Sequence, residues 1–169
     1  MAGYPITDYV VLETTGQPGR HAIPPKTWLK IKKHLIACGR DVVAVGDCPP
    51  WYDLAGCALH TRTFDTATTI NIIGRAECLI AMDGDLVWLA ARTDCPMVIG
   101  CAPTSPPCQL PIRHGQAGWR CVAVSPKSDC RHCERAPVTN DVICPLGKNF
   151  ECVQSIPAGD YIVAYESFF

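Results

Sequence analysis

The sequence lacks any apolar run long enough to cross a bilayer. Its longest apolar stretches, such as Val42 to Val45 and Cys78 to Met82, fall far below the roughly 20 residues a membrane helix needs. It also lacks a surplus of either charge. With 15 Lys and Arg against 16 Asp and Glu the formal net charge is -1, so no long-range field favours nucleic acid or an anionic membrane surface. Met1 to Thr7 lacks the basic segment and apolar core of a secretory signal. No internal repeat, low-complexity tract or linker marks a boundary. The expectation is one domain, residues 1–169, large enough to bury a sizeable core and too short for two full lobes.

Cysteine, by contrast, is abundant: the chain has 12. In a small secreted chain these would read as a disulfide framework. Here no export signal accompanies them, so a reducing, cytoplasmic setting is expected. Cys38, Cys48, Cys57, Cys78, Cys95, Cys101, Cys108 and Cys121 are scattered among apolar and turn residues, where free cysteine acts as a small hydrophobe. The remaining four, Cys130-x2-Cys133-x10-Cys144-x7-Cys152, form the strongest local constellation. Two thiols three apart grip a metal from a tight turn, and two later thiolates complete a tetrahedron, as in structural zinc sites. Disulfides and unlinked thiols remain alternatives. His132 reads as a loop residue, and His21, His34, His60 and His114 have no ligand-like spacing. A redox reading of Cys130-Arg131-His132-Cys133 loses on context, because such motifs usually open a helix after an early strand.

Along the chain, apolar strand patterns alternate with helical ones. Tyr9 to Leu12 reads as a strand entering the loop Thr14-Thr15-Gly16-Gln17-Pro18-Gly19. Pro24 and Pro25 stand where a helix can begin. Trp28, Ile31 and Leu35 recur on one face of it, Lys30, Lys32 and Lys33 are placed on its solvated side, and Gly39 can close it. Val42 to Val45 follows as a buried strand. Asp65 is a candidate N-cap for a helix through Ile70 and Ile73 to Ala76, and Cys78 to Met82 is the next strand. A helix over Leu86 to Arg92 and strands at Met97 to Ile99 and Cys121 to Val124 complete the pattern, with Ala102 to Gly118 read as a long Pro- and Gly-rich loop and Tyr161 to Phe169 as a closing helix. Uninterrupted apolar strands between helices suit a parallel sheet covered on both faces, a Rossmann-like α/β domain. A cysteine-rich loop over residues 125–155 follows the last strand. Trp28, Trp51, Trp88 and Trp119 are too far apart to form a stacking row and are expected in core or loop packing.

The order strand, Gly-containing loop, helix, strand, Gly46-Asp47, helix, strand, Asp83-Gly84-Asp85, helix, Cys95-Pro96, strand, Gly100, Pro-rich loop resembles the C-terminal half of ADP-heptose:lipopolysaccharide heptosyltransferases, the glycosyltransferase family 9 group. The likeness runs from about Tyr9 to the C-terminus. It is carried best by Asp83-Gly84-Asp85-Leu86-Val87-Trp88-Leu89-Ala90-Ala91, Pro96-Met97-Val98 and the terminal cysteines. The resemblance implies a single lobe of a two-lobed (GT-B) glycosyltransferase that binds a nucleotide or nucleotide sugar. The family stretch reads Asp, Ser or Thr, Gly, two variable residues, His, a variable residue and Ala, at the donor site. Here Gly84 replaces the hydroxyl residue, Asp85 the glycine and Trp88 the histidine, departures that bear on donor chemistry.

Physically, a strand running into Asp83-Gly84 and then a helix presents free N–H groups to a diphosphate. Asp85 opposes that attraction, and Asp83 is available to sugar hydroxyls. The resemblance further implies that Thr14, Thr15 and Arg20 hold donor phosphates and that Asp47 binds the ribose. Arg20 can make paired hydrogen bonds to phosphate, while a solvated charge for Arg20 and a turn residue for Asp47 are the plainer alternatives. The lobe that in relatives carries the acceptor site and catalytic base is absent here. The expectation is thus a nucleotide-binding domain without independent catalysis. Its rivals are the donor part of a glycosyltransferase completed by another chain or cut from a longer enzyme, and an interaction protein that has lost the pocket; a homo-oligomer fits any of these.

Overall fold

The computed structural model of the chain describes residues 8–14, 21–61, 65–131, 133, 144 and 146–169, with the backbone alone described at residues 61 and 108. Thr15, Arg20, His132 and most of the cysteine-rich loop lie outside the described residues. Strand β1 (Tyr9–Thr14) is buried along its whole length. It pairs in parallel with β2 (Asp41–Gly46) on one side and with β4 (Cys78–Met82) on the other. β3 (Leu59–Thr61) adds to β2, β5 (Met97–Gly100) to β4, and β8 (Cys121–Val124) to β5, every pairing parallel. The six-stranded order is β3-β2-β1-β4-β5-β8. This is the expected Rossmann-like α/β sheet.

Because successive side chains point to opposite faces, each strand feeds two cores. Val10, Leu12, Ala44, Ile80 and Met82 pack with α1 (Pro25–Ala37) and α6 (Ala158–Glu166). Val11, Val43, Leu79, Ala81 and Ile99 pack with α2 (Thr66–Gly74) and α3 (Asp85–Ala90). Both faces are therefore dry, which explains strands without polar alternation.

Helix α1 starts with Pro25 in its first turn and buries Trp28, Ile31 and Leu35, as its spacing predicts. Lys32 departs from the expectation of a solvated side chain: it is 3% exposed. It stands four residues after Trp28, on the buried face, with its ammonium 5.6 Å from the indole centroid. The head group donates to the carbonyls of Asp53 at 2.5 Å and Ala55 at 2.8 Å and pairs with the Asp53 carboxylate at 3.2 Å. A long amphipathic stem thus fills core space while its charge is met by loop acceptors. Asp65 caps α2 as predicted, accepting from the Thr68 N–H at 2.9 Å, though the helix stops at Gly74 rather than Ala76. α3 likewise runs from Asp85 to Ala90 rather than from Leu86 to Arg92.

The segment read as one long loop holds three short elements: α4 (Pro106–Gln109) and the antiparallel hairpin of β6 (Ile112–Arg113) and β7 (Gln116–Ala117). The hairpin turns on His114 and Gly115, both left-handed, with φ of +50° and +75°, the two-residue geometry whose twist suits a hairpin. Arg113 then staples the hairpin to the sheet. It is 4% exposed and donates to the Thr93 and Cys95 carbonyls at 2.8 Å each, to the Trp119 carbonyl and to the Arg120 carbonyl at 3.3 Å. β3 and the short α5 (Glu151–Gln154) were also unforeseen.

Two predictions follow from packing. A Cβ at Gly100 would collide with Tyr161 Oη and Met82 Sδ, whereas one at Gly159 meets nothing within 4 Å. Gly100→Ala is expected to lose about 1–3 kcal/mol and Gly159→Ala to lose none, measured by denaturant unfolding; equal stability of the two variants would refute the close packing of α6 on β5. Arg113→Met strands several buried carbonyls and should destabilise by about 3 kcal/mol. That corresponds to a melting point lower by about 6–12 °C for a domain of this size; a shift under about 2 °C would show that the staple is dispensable.

Candidate functional site

The connections leave β1 toward β2 on one side of the sheet and β4 toward β5 on the other, so the strand order reverses between β1 and β4. At such a switch point the loops diverge beyond the carboxyl ends of the strands and leave a crevice, where ligands of open α/β sheets bind. The residues at this point are Glu13 and Thr14 from β1, and Asp83 and Gly84 after β4.

Glu13 lies in β1, one residue past Leu12, where the apolar run ends. It is 3% exposed. Its Oε2 accepts the Met82 N–H at 2.8 Å, and its carbonyl accepts the Trp28 indole N–H at 2.9 Å. Asp83 lies beside it, with a side chain wholly shielded from solvent. Neither Asp83 carboxylate oxygen has a hydrogen-bond partner among the described residues. His21 Nδ1 stands 3.4 Å from Asp83 Oδ1 and hydrogen-bonds the Asp83 carbonyl. His21 is 30% exposed at its side chain and follows the β1 loop in sequence. Beneath them Tyr161 of α6 donates to Met82 Sδ at 3.1 Å. Its phenol is pushed well above its usual range, first by burial and then by the neighbouring Cys101, Glu13 and Asp83.

The predicted donor residues are brought to this crevice unevenly. Thr14 is fully buried, its hydroxyl 3.2 Å from Cys48 Sγ and its carbonyl accepting the Cys48 N–H at 3.2 Å. Its side chain therefore faces protein. Gly46, at φ +133°, brings the end of β2 so close that a Cβ there would come within 2.7 Å of the Thr14 carbonyl oxygen. Asp47 follows it and is exposed. Gly84 is the N-cap of α3 in extended backbone, with no side-chain cap, and Asp85 occupies the first turn, exposed. A Cβ at Gly84 would make only ordinary contacts, 3.9 Å from Glu13 Oε1 and 4.0 Å from His21 Cβ, so glycine is not imposed there by space. Trp88 is 49% exposed on α3. Thr15 and Arg20 fall outside the described residues.

A cavity of about 530 Å³ lies beside the first turn of α1, between Ile23, Pro25, Trp51, Tyr52, Phe150 and Val153. Its size suits a small molecule. Sequence reasoning missed it because its walls come from segments far apart in the chain.

Among the described residues the cysteines are unlinked. Cys48, Cys78, Cys95 and Cys101 are buried as small hydrophobes, Cys57 and Cys121 are half-buried, and Cys38 is exposed. Burial, outweighing the nearby Arg113 guanidinium, pushes the Cys95 thiol up to about 12. The terminal four are different. Cys130 and Cys152 are buried, and Cys133 and Cys144 are half-buried. Burial first, then the adjacent Cys130 and Cys133 thiols and a hydrogen bond with Cys130, push Cys152 up to about 11. At Cys144 desolvation acts upward, but the N–H groups of Phe150, Leu146, Lys148 and Gly147 together hold the thiol below its usual range. The described residues bring no three His, Cys, Asp or Glu side chains into metal-binding geometry. Cys130 and Cys133 thus lie near enough to Cys152 to act on its thiol, while Cys144 is held by main-chain amides that favour thiolate.

No family model matches the sequence, and no curated protein matches it. Solved structures do. The iron-containing dodecameric glycosyltransferase TibC of enterotoxigenic Escherichia coli H10407 superposes with a TM-score of 0.73 at 18% identity, over 95% of this chain and 45% of that one. A family 9 glycosyl transferase from Veillonella parvula gives 0.69 at 13% identity, over 98% and 47%. The E. coli heptosyltransferase WaaC, solved with ADP, gives 0.63 at 17% identity, over 96% and 44%. The chain therefore spans less than half the length of these proteins and resembles, in fold, one part of a family 9 heptosyltransferase.

Proposed function

We propose that the chain is a nucleotide-binding domain, related to the donor-binding part of heptosyltransferases and taking an ADP-sugar-like ligand at the β1/β4 crevice. The observation that supports this most is the coincidence of a switch point lined by Glu13, Asp83 and Gly84 with a fold shared with WaaC, solved with ADP, and with TibC, solved with ADP-D-β-D-heptose. In this reading the diphosphate approaches the amides at Gly84 and Asp85, with Thr15 and Arg20 on the phosphates and Asp47 at the ribose, while the Asp83 carboxylate, wholly shielded from solvent, does not reach the sugar. Thr14, with its hydroxyl against Cys48, serves through its backbone. Transfer needs a positioned base and an acceptor cleft, which the second lobe supplies in relatives. The chain accordingly binds without turning over. A second reading, a donor part completed by a partner chain, is favoured by the spanning of less than half of TibC, itself dodecameric.

The test is thermal. A saturating ligand, at about 100 times its dissociation constant, adds roughly 2.7 kcal/mol, which for a domain of this size raises the melting temperature by about 5–10 °C. ADP and ADP-heptose are expected to do so. If ADP, UDP, GDP and their sugars all leave the melting temperature unchanged, the chain is an interaction protein without a nucleotide pocket. Release of ADP from ADP-heptose by the chain alone would refute binding without turnover.

We also infer that Cys130, Cys133, Cys144 and Cys152 hold one structural metal ion. Zinc is the ion suggested by four thiolates, and iron suits the same tetrahedral set, as the iron-containing TibC invites. Elemental analysis of the purified chain should give about one equivalent, lost in Cys130→Ser together with several degrees of melting temperature. Absence of stoichiometric metal, with all four thiols reacting at once with a thiol reagent, would sink this assignment.

A further inference from the structure

We infer that the cavity beside the first turn of α1 is a second ligand site, which takes a planar aromatic anion such as a fused-ring carboxylate. The site is independent of the nucleotide reading: none of Glu13, Thr14, Asp83 and Gly84 lines it. Its volume, about 530 Å³, falls within the range of small-molecule sites. Three aromatic side chains set its shape. Tyr52 is fixed twice, its hydroxyl donating to the Ile23 carbonyl at 2.8 Å and its ring centroid lying 5.2 Å from that of Trp28. With that hydroxyl engaged on protein, Tyr52 offers the cavity its ring. Asn149 and Phe150 both have left-handed backbone, at φ of +48° and +54°. Two successive non-glycine residues in that region, one of them bulky, are costly, and here they hold Phe150, 7% exposed, in the cavity wall. Trp51, 42% exposed, completes the lining from the solvent side.

Polarity decides what such a cavity holds. A sugar needs several convergent donors and acceptors, yet the Tyr52 hydroxyl is engaged and Gln154 Nε2 donates to the Asn149 carbonyl at 2.7 Å. What remains is mostly flat apolar surface, on which an aromatic ring system packs well. The charge of the lining is one-sided. Among the described residues Lys26 is the only charged group that lines the cavity, with no Asp or Glu opposite it. The 13-residue α1 also turns its positive end this way, with no acidic residue in its first turn and no side-chain cap. Aromatic walls alone would suit a cation as well, but Lys26 and the end of α1 oppose one, and no carboxylate lines the cavity to offset them. An anionic group at one end of a planar molecule therefore meets the Lys26 ammonium, while its rings lie among Trp51, Tyr52 and Phe150. No bond is made or broken at this site. It binds.

The probes are 2-naphthoate, 2-naphthalenemethanol and 2-naphthylmethylammonium, which share one ring system and differ in charge. Each is titrated into the 169-residue chain and followed by NMR. Naphthoate is expected to bind with a Kd of about 1 mM or tighter and to shift the Trp51 indole and Phe150 ring signals. The alcohol should bind about threefold to fivefold more weakly, and the ammonium more weakly still. Lys26→Gln should abolish the preference for naphthoate over the alcohol while leaving the alcohol's affinity as it was. Trp51→Ala should weaken both by about twofold to tenfold. Both side chains are exposed, and the wild-type shifts locate the probe even should a variant misfold. ADP-D-β-D-heptose in excess should leave naphthoate bound. Unmoved Trp51 and Phe150 signals at millimolar naphthoate, equal binding of the three probes, or displacement by ADP-D-β-D-heptose would each overturn a separate anion site in this cavity. A chain that binds naphthoate as described but not the nucleotide sugar sinks the nucleotide reading and leaves this site standing.

Discussion

Everything in this fold hangs on burying β1 and β4 side by side with helices on both faces. A strand in that position has no wet side, so each residue must be apolar or have its polarity answered inside the protein. Val10, Val11, Leu12, Leu79, Ile80 and Ala81 satisfy the first condition, all at 0% exposure. Gly100 satisfies a steric one: β5 passes so close to Tyr161 and Met82 that no side chain fits. Tyr161 then brings α6 down onto the sheet and places its hydroxyl on Met82 Sδ, next to the end of β4. The same packing that closes the core also builds the floor of the crevice.

Glu13 and Asp83 break the rule at the strand ends. A carboxylate buried in an otherwise apolar layer costs several kcal/mol unless its lone pairs are met. Glu13 accepts the Met82 N–H, and the Asp83 carboxylate, with no hydrogen-bond partner among the described residues, stands beside His21. Departures from local consistency tend to collect where a protein gives up stability for function. That the two lie together at the point where the strand order reverses is the strongest internal argument that the crevice is used. The cavity at α1, lined by Trp51, Tyr52 and Phe150, has size in its favour, but no carboxylate lines it.

Much of this was legible in the chain. The strands at 42–45, 78–82 and 121–124, the helix carrying Trp28, Ile31 and Leu35, and the Asp65 cap all lie where propensity, burial period and capping chemistry agree. The parallel sheet followed from their order, as did the likeness to family 9, since the sequence of punctuating residues survives where identity has fallen to 18% or less. What was missed was set by contacts between distant segments. Lys32 is buried because the carbonyls of Asp53 and Ala55 happen to meet its ammonium. Glu13 is in the strand because Met82 offers an N–H from 69 positions away. β3 is three residues at an exposed edge and carries no period to read. The hairpin did have a local signal, a two-residue turn ending in Gly115, hidden within a Pro- and Gly-rich stretch. His21 had none, because its partner Asp83 lies 62 positions on.

The cysteines divide along the same physical line. Where the thiol lies against strands, as at Cys78 and Cys95, desolvation drives it upward, and the neutral group is a space-filling hydrophobe. At the C-terminus other thiols and main-chain amides add to that packing: burial raises Cys152 first and Cys130 and Cys133 raise it further, while N–H groups lower Cys144. Thiols that raise one another do so because neighbouring thiolates repel, and a bound cation reverses that repulsion. Cys152 lies in α5, whose Phe150 and Val153 form one wall of the α1 cavity. A metal at these cysteines would therefore brace that wall, beside the helix that carries Trp28, whose indole N–H is donated to the Glu13 carbonyl at the crevice.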